Sequence, residues 1–215
     1  VSLLDYVASR WQQLLVDSFQ HASMVLQCIA LATVIGVLVG VAVYRSPAGS
    51  AIATALSSAI LTIPSFALFG LLIPVLGLGV APSVVTLVLY ALLPIVRNTI
   101  VGLSTVDKSI VDAARGIGMS RLGVLTKVEL QLAWPAILAG MRVSTQMLMG
   151  IGAIAAYAKG PGLGNLVFSG LSQLGGANAL NMALAGTLGV IVLALLLDAV
   201  YVLVGRLTTS RGIRG

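Results

Sequence analysis

Charge is absent from residues 22–44 and again from residues 46–96, stretches of 23 and 51 residues. A helix needs about 20 apolar residues to cross the hydrocarbon core of a bilayer, so the first stretch predicts one crossing. At about 1.5 Å per residue, one helix made of the second stretch would be about twice the thickness of that core. It must therefore fold back. The turn residues Pro74, Gly77, Gly79 and Pro82 place the reversal. Crossings are thus expected near 51–73 and 83–98, and two further apolar runs predict a fourth near 132–157 and a fifth near 182–204. The chain reads as an all-α membrane protein with about five transmembrane helices, and no internal repeat or soluble domain is visible.

Residues 1–20 have a different pattern. Leu4, Val7, Trp11, Leu14 and Leu15 recur at helical spacing, with Asp5, Arg10, Gln12, Gln13 and Asp17 between them. This predicts an amphipathic helix lying at the membrane interface, since the charges interrupt any further crossing. The expected division is an interfacial N-terminal helix over 1–20 and a transmembrane domain over 21–215. The opening VSLLDYVASRW has no basic segment followed by an apolar core, so no cleavable signal is expected.

Composition fits the pattern. The 215 residues are 59% apolar and only 8% charged, with a mean hydropathy of +1.10, whereas a soluble domain is usually about 25% charged. The net charge of +6 reports topology rather than a nucleic-acid partner. Arg45, the cations from Arg97 to Arg142, and Arg206, Arg211 and Arg214 fall on one side of the expected crossings and make ten of the twelve. Only Arg10 and Lys159 fall opposite. The positive-inside rule then places the C-terminus in the cytoplasm and the N-terminus outside. The lone Cys28 allows no disulfide within the chain, and one histidine, His21, without a cysteine partner makes a metal site unexpected.

Seven of the 18 charged side chains lie within the 23 residues from Asp107 to Glu129. Asp107 is a suitable N-cap, and Ile110, Ala113, Ala114 and Ile117 follow at i, i+3, i+4 and i+7, one apolar face on a short helix. Gly116 and Gly118 permit a break. Ser120 can cap a second helix carrying Leu122, Leu125 and Val128. Two readings of this helix–turn–helix stay open: an ordinary solvated connection, or a docking surface on which small residues allow another protein to approach closely.

Here the residues resemble a known family. Asp112-Ala113-Ala114, three residues, Gly118, nine residues, then Val128-Glu129-Leu130 is similar to the EAA loop of ABC-importer permeases, with Asp112 in place of the usual Glu and Gln131 in place of the usual Pro. The segments LTIPSFALFGLLIPVLGLG (61–79), LYALLPIVRNT (89–99), VDAARGIGMSRLGVL (111–125), VELQLAWPAILAGMR (128–142) and GPGLGNLVFSGL (160–171) resemble permeases that take up glycine betaine, choline or carnitine.

The resemblance implies a type I ABC-importer permease fold in the bacterial inner membrane. It implies a second permease subunit, identical or related, ATPase subunits docked on the coupling loop at 105–131, and an external substrate-binding protein. It also implies that Asp112, Ala113, Ala114, Arg115, Gly116 and Gly118 contact the ATPase, and that crossings three to five alternate between inward-open and outward-open states. The chain has no GxxxxGK[ST] loop, so ATP hydrolysis falls to the partner and no cofactor is expected here.

Several polar and aromatic groups lie at membrane depth. Pro64 and Pro94 can kink helices and free carbonyls. With Ser65, Phe66, Tyr90, Asn98 and Gln146 they are candidates for the translocation pathway, although small polar residues such as Thr99, Ser144 and Thr145 also glue helices together. A quaternary ammonium ion is best held by aromatic rings, for which Phe66, Phe69, Tyr90 and Tyr157 are available. Asp198 is expected to form a structural ion pair with Arg142 or Arg97; the alternative is a proton or cation relay. Gly160-Pro161-Gly162-Leu163-Gly164-Asn165 lacks dinucleotide spacing and predicts a turn or re-entrant segment on the outer side. Competing functions are a permease for another solute such as an amino acid, and a proton-coupled secondary carrier.

Overall fold

The computed structural model describes residues 2–209; Arg211 and Arg214, used above for orientation, lie outside the described residues. Helix α1 (Leu3–Ser9) opens with a capping box, in which the Ser2 hydroxyl accepts the Asp5 N–H and the Asp5 carboxylate accepts the Ser2 N–H. The Ser2 hydroxyl also donates to that carboxylate at 2.7 Å, and this bond holds the Asp5 carboxyl below its usual range. Arg10 leaves the helical region and ends the element.

Helix α2 (Trp11–Val43) then runs unbroken for 33 residues. The single interfacial helix expected over 1–20 is therefore two pieces, and its second half continues into the first crossing. The reason is local: no glycine or proline occurs from Trp11 to Ile35, and a change from polar to apolar side chains does not interrupt backbone hydrogen bonding. At about 1.5 Å per residue α2 is about 50 Å long, well beyond the hydrocarbon core. The expected apolar stripe divides: Leu4 and Trp11 are exposed, Val7, Leu14 and Leu15 line a groove with Leu188 and Val192, and the buried side chain of α1 is Tyr6.

The second crossing is not a straight helix. Helices α3 (Pro47–Thr62) and α4 (Ser65–Leu76) meet at a bend of 92°. Pro64 causes it: the proline ring pushes the preceding residue out of the helical region, and Ile63 is extended with ψ 125°. Pro74, read as part of a turn, lies inside α4; the chain reverses just after it, where Gly77 and Gly79 both have positive φ.

Helix α5 (Val80–Ser104) forms the centre, packed on α2, α3, α4 and α8 (Leu130–Ile154). Short helices α6 (Lys108–Gly116) and α7 (Arg121–Val124) lie between them, and a π-helical turn, Leu125–Glu129, leads into α8. A 3-10 turn, Ala155–Ala158, follows α8, then α9 (Gly164–Ser172) and α10 (Ala179–Thr208). Among the described residues, four helical runs are long and apolar enough to cross a membrane, or five with the bent α3–α4 pair counted as one.

Within a bilayer, burying apolar surface between helices gains little, because lipid is equally apolar; close backbone approach and polar bonds must do more. The α5–α8 contact shows both. A Cβ on Gly140 would stand 2.8 Å from the Pro94 carbonyl oxygen, so only glycine permits this spacing. Ser144 donates to the Ala91 carbonyl at 2.9 Å, and the Thr145 and Tyr201 hydroxyls meet at 2.9 Å, joining α8 to α10. Phe69, Leu87, Ile95 and Leu148 fill the space between. Leu188, Val192 and Leu195 on α10 face outward, as lipid-facing side chains should.

Candidate functional site

The segment between α5 and α8 is built by caps. The Ser109 N–H donates to Asp107 Oδ1 at 2.8 Å and starts α6. That bond holds the Asp107 carboxyl below its ordinary value. At the other end Gly118 takes φ +88°, a left-handed position, and the Gly118 and Met119 N–H groups return to the carbonyls of Arg115 and Ala114. Ser120 accepts the Gly123 N–H and starts α7. The second helix expected from Ser120 is only four residues of α-helix; it passes through the π-helical turn and on into α8 without a break. Gln131 supplies a backbone N–H to this run, where a proline could not.

Asp112, Ala113, Arg115, Gly116 and Gly118 are exposed on this knuckle, and Ala114 is not. Ala114, at 7% exposure, is turned into the protein, so the four-residue apolar face divides. Ile110 remains exposed, and Ile117 and Leu122 stand out at 82% and 68%. Behind α6 lies a cleft of about 410 Å³, with Lys108, Val111, Asp112 and Arg115 on one wall and Leu103, Ser104 and Tyr44 opposite.

Glu129 is the residue that sequence reasoning missed. It belongs to the charged cluster at 107–129, yet it is only 4% exposed. Its carboxylate accepts the Tyr44 hydroxyl at 2.9 Å and Arg45 Nη2 at 3.0 and 3.2 Å, from the chain just past α2. The available signal was an acid at the start of an apolar helix, with a Tyr-Arg pair at the end of another.

The membrane-depth residues fall into separate groups. Around the bend, the Tyr90 hydroxyl donates to the Ile63 carbonyl, and Pro64 and Ser65 start α4. Phe66 and Tyr157 stack nearby with centroids 4.2 Å apart. Phe69 and Tyr90 are buried, which leaves Phe66 and Tyr157 as the accessible rings of the four. On α5, the Asn98 amide donates to the Pro94 carbonyl at 2.8 Å. Between α8 and α10, Arg142 donates to both carboxylate oxygens of Asp198 at 2.6 Å, and the Gln146 amide donates to the Ala194 carbonyl at 3.0 Å. Asp198 pairs with Arg142, not Arg97. Gly160-Pro161-Gly162 forms a turn held by the Asn165 amide, which donates to the Gly160 and Gly162 carbonyls. His21 is buried with Nε2 3.1 Å from the Met149 carbonyl, and among the described residues no group of His, Cys, Asp and Glu could hold a metal ion.

The binding-protein-dependent transport system inner membrane component family matches residues 32–210. The chain belongs to that family. It is therefore a multi-pass protein of the bacterial inner membrane, a permease that works with ATPase and substrate-binding partners. It is 39% identical over 202 residues to the osmoprotectant import permease protein OsmW of Salmonella typhimurium, covering 92% of each chain. It is 32% identical over 213 residues to the glycine betaine/carnitine/choline transport system permease protein OpuCB of Bacillus subtilis, covering 99% of this chain and 96% of that one. The fold matches a chain of the methionine ABC transporter MetNI in an inward-facing conformation, with a TM-score of 0.75 over 92% of this chain and 96% of that one. At 24% identity that likeness shows the ABC-importer permease fold alone.

Proposed function

We propose that this permease carries quaternary ammonium compatible solutes, such as glycine betaine, choline and carnitine, into the cell. The observation that carries the substrate class is the near full-length similarity to OsmW and OpuCB. The permease pairs with a second copy or a related chain. Its N-terminus lies outside and its C-terminus in the cytoplasm, which puts the knuckle between α5 and α8 on the cytoplasmic side.

The knuckle is the part that the ATPase grips. Ile110, Ala113, Ile117 and Leu122 offer an apolar contact, Gly116 and Gly118 leave space at the corner, and Asp112 and Arg115 orient the partner. A single exposed apolar side chain is ordinary, but several large ones gathered on one short segment mark a binding surface. ATP binding draws the ATPases together, the knuckle moves with them, and the crossings shift between two arrangements that open to opposite sides. Pro64, Ser65, Phe66, Tyr90, Pro94, Asn98 and Gln146 border the pathway, with selectivity resting mainly on the external binding protein.

Uptake by cells that lack other osmoprotectant importers tests this reading. With the cognate ATPase and binding protein co-expressed, radiolabelled glycine betaine, choline or carnitine should accumulate, and an uncoupler that spares ATP should leave the initial rate intact. Accumulation of an amino acid instead, or full loss with the uncoupler, would overturn it.

A further inference from the structure

The force path through the knuckle can be followed in the contacts. Helix α6 packs on α7 and on the π-helical turn. Between α6 and the ends of α2 and α5 lies the cleft, which separates Val111, Asp112 and Arg115 from Leu103, Ser104 and Tyr44. Displacement of α6 therefore enters the bundle mainly through the π-helical turn. That turn ends on Glu129, whose carboxylate is held by Tyr44 and Arg45 beyond the end of α2. Arg45 in turn lies over the Tyr44 ring at 5.0 Å, so the two donors are fixed relative to each other.

We propose that Glu129 is a positioning residue that yokes the coupling knuckle to the first crossing, so that α2 travels with the knuckle as one body while the importer turns over. Without this tie, the knuckle would meet α2 only through side-chain packing, with Val41 and Tyr44 in one groove with Arg121, Leu122 and Leu125, and α2 would follow passively. The burial of Glu129 makes the tie selective. A carboxylate only 4% exposed, at the inner edge of the cleft and holding bonds from two side chains, is costly to separate from them. The contact therefore stays closed through the cycle, and motion occurs elsewhere. Arg45 is half exposed, so its replacement leaves the interior packing in place.

This inference rests on α6 being the part that the ATPase grips, and the test separates the two. The whole importer, with ATPase and binding protein, is reconstituted in liposomes, and ATPase association, ATP hydrolysis and solute uptake are measured together. Arg45→Ala and Tyr44→Phe with Arg45→Ala should retain ATPase association, while solute moved per ATP hydrolysed falls about tenfold or more. Exchange of the pair, Arg45→Glu with Glu129→Arg, should recover much of that ratio. In a Cys28→Ala background, Arg45→Cys with Glu129→Cys joined by a short bifunctional thiol reagent should transport at a rate near that of the parent.

An unchanged ratio in Arg45→Ala, or a block of transport by the cross-link, would overturn the yoke without touching the docking reading. If Arg45→Ala abolished association altogether, the exchanged pair decides: recovery of association and of the ratio supports the yoke, and failure to recover either overturns it.

Discussion

The α5–α8 contact and the knuckle at 107–129 are consecutive in sequence and opposite in construction. In the first, polar side chains turn inward and are bonded, Ser144 to the Ala91 carbonyl and Asn98 to the Pro94 carbonyl, and a glycine is required because backbones nearly touch. In the second, apolar side chains turn outward, Ile110, Ile117 and Leu122, and Gly118 is required for its left-handed φ while space around it is empty. One region is complete within the chain. The other is rigid in its caps and incomplete in its contacts, as a surface waiting for a partner should be.

The contrast can be broken most severely at Gly140. Gly140→Leu forces a side chain against the Pro94 carbonyl, and overpacking of this kind costs about 1–3 kcal/mol or more. The thermal midpoint of the purified permease should fall and folded yield with it; an unchanged midpoint would show that the two helices are not closely packed. Next comes the Arg142–Asp198 pair. Arg142→Ala leaves the Asp198 carboxylate without a cation on a membrane-spanning helix, with the Gln146 amide 3.4 Å away, and uptake is expected to fall by roughly an order of magnitude. Exchanging the two residues should recover part of it, whereas equal failure of single and exchanged variants would argue that Asp198 acts by itself.

At the knuckle, effects on fold should be smaller and effects on partnership larger. Gly118→Val strains one residue by about 1–2 kcal/mol, locally, so the midpoint should shift little while uptake drops. The smallest effect concerns the α6 cap. The Asp107 carboxyl titrates below its unfolded value because the Ser109 N–H favours the ionised form. Its contribution is therefore present above the unfolded pKa and is lost as pH falls through the lower folded one. Uptake should be indifferent to this group from about pH 5 to 8. Asp107→Asn, which retains a capping oxygen, should transport better than Asp107→Ala at pH 7; equal rates would show that the cap does not matter.

The number of crossings and the knuckle were legible because each rests on a local rule: charge-free length for the first, caps and helical spacing for the second. The bend at Pro64 was readable in principle, since an X-Pro step inside an apolar run disfavours helix at X, yet length alone suggested one straight element. The extent of α2 was hidden because residues 11–20 differ from the rest of that helix in polarity and not in helix-forming capacity. Glu129 was hidden for another reason. Its partners, Tyr44 and Arg45, are more than 80 residues away, and nothing local distinguishes a paired buried acid from a solvated one. Ala114 shows the same limit, since spacing places it beside Ile110 and Ile117 but cannot say which side of that face is covered by the protein itself.

The central claim is that the exposed apolar knuckle is the seat of the ATPase. The most direct measurement is the affinity of the cognate ATPase subunit for the detergent-purified permease, compared between the natural chain and Ile117→Asp. That residue is almost fully exposed, so the fold should tolerate the change to within about 0.5 kcal/mol, while removal of a central interface contact weakens association by about 2 kcal/mol or more. A clear drop in affinity with an unchanged thermal midpoint is the predicted result. Undiminished affinity of a well-folded Ile117→Asp permease would contradict the account.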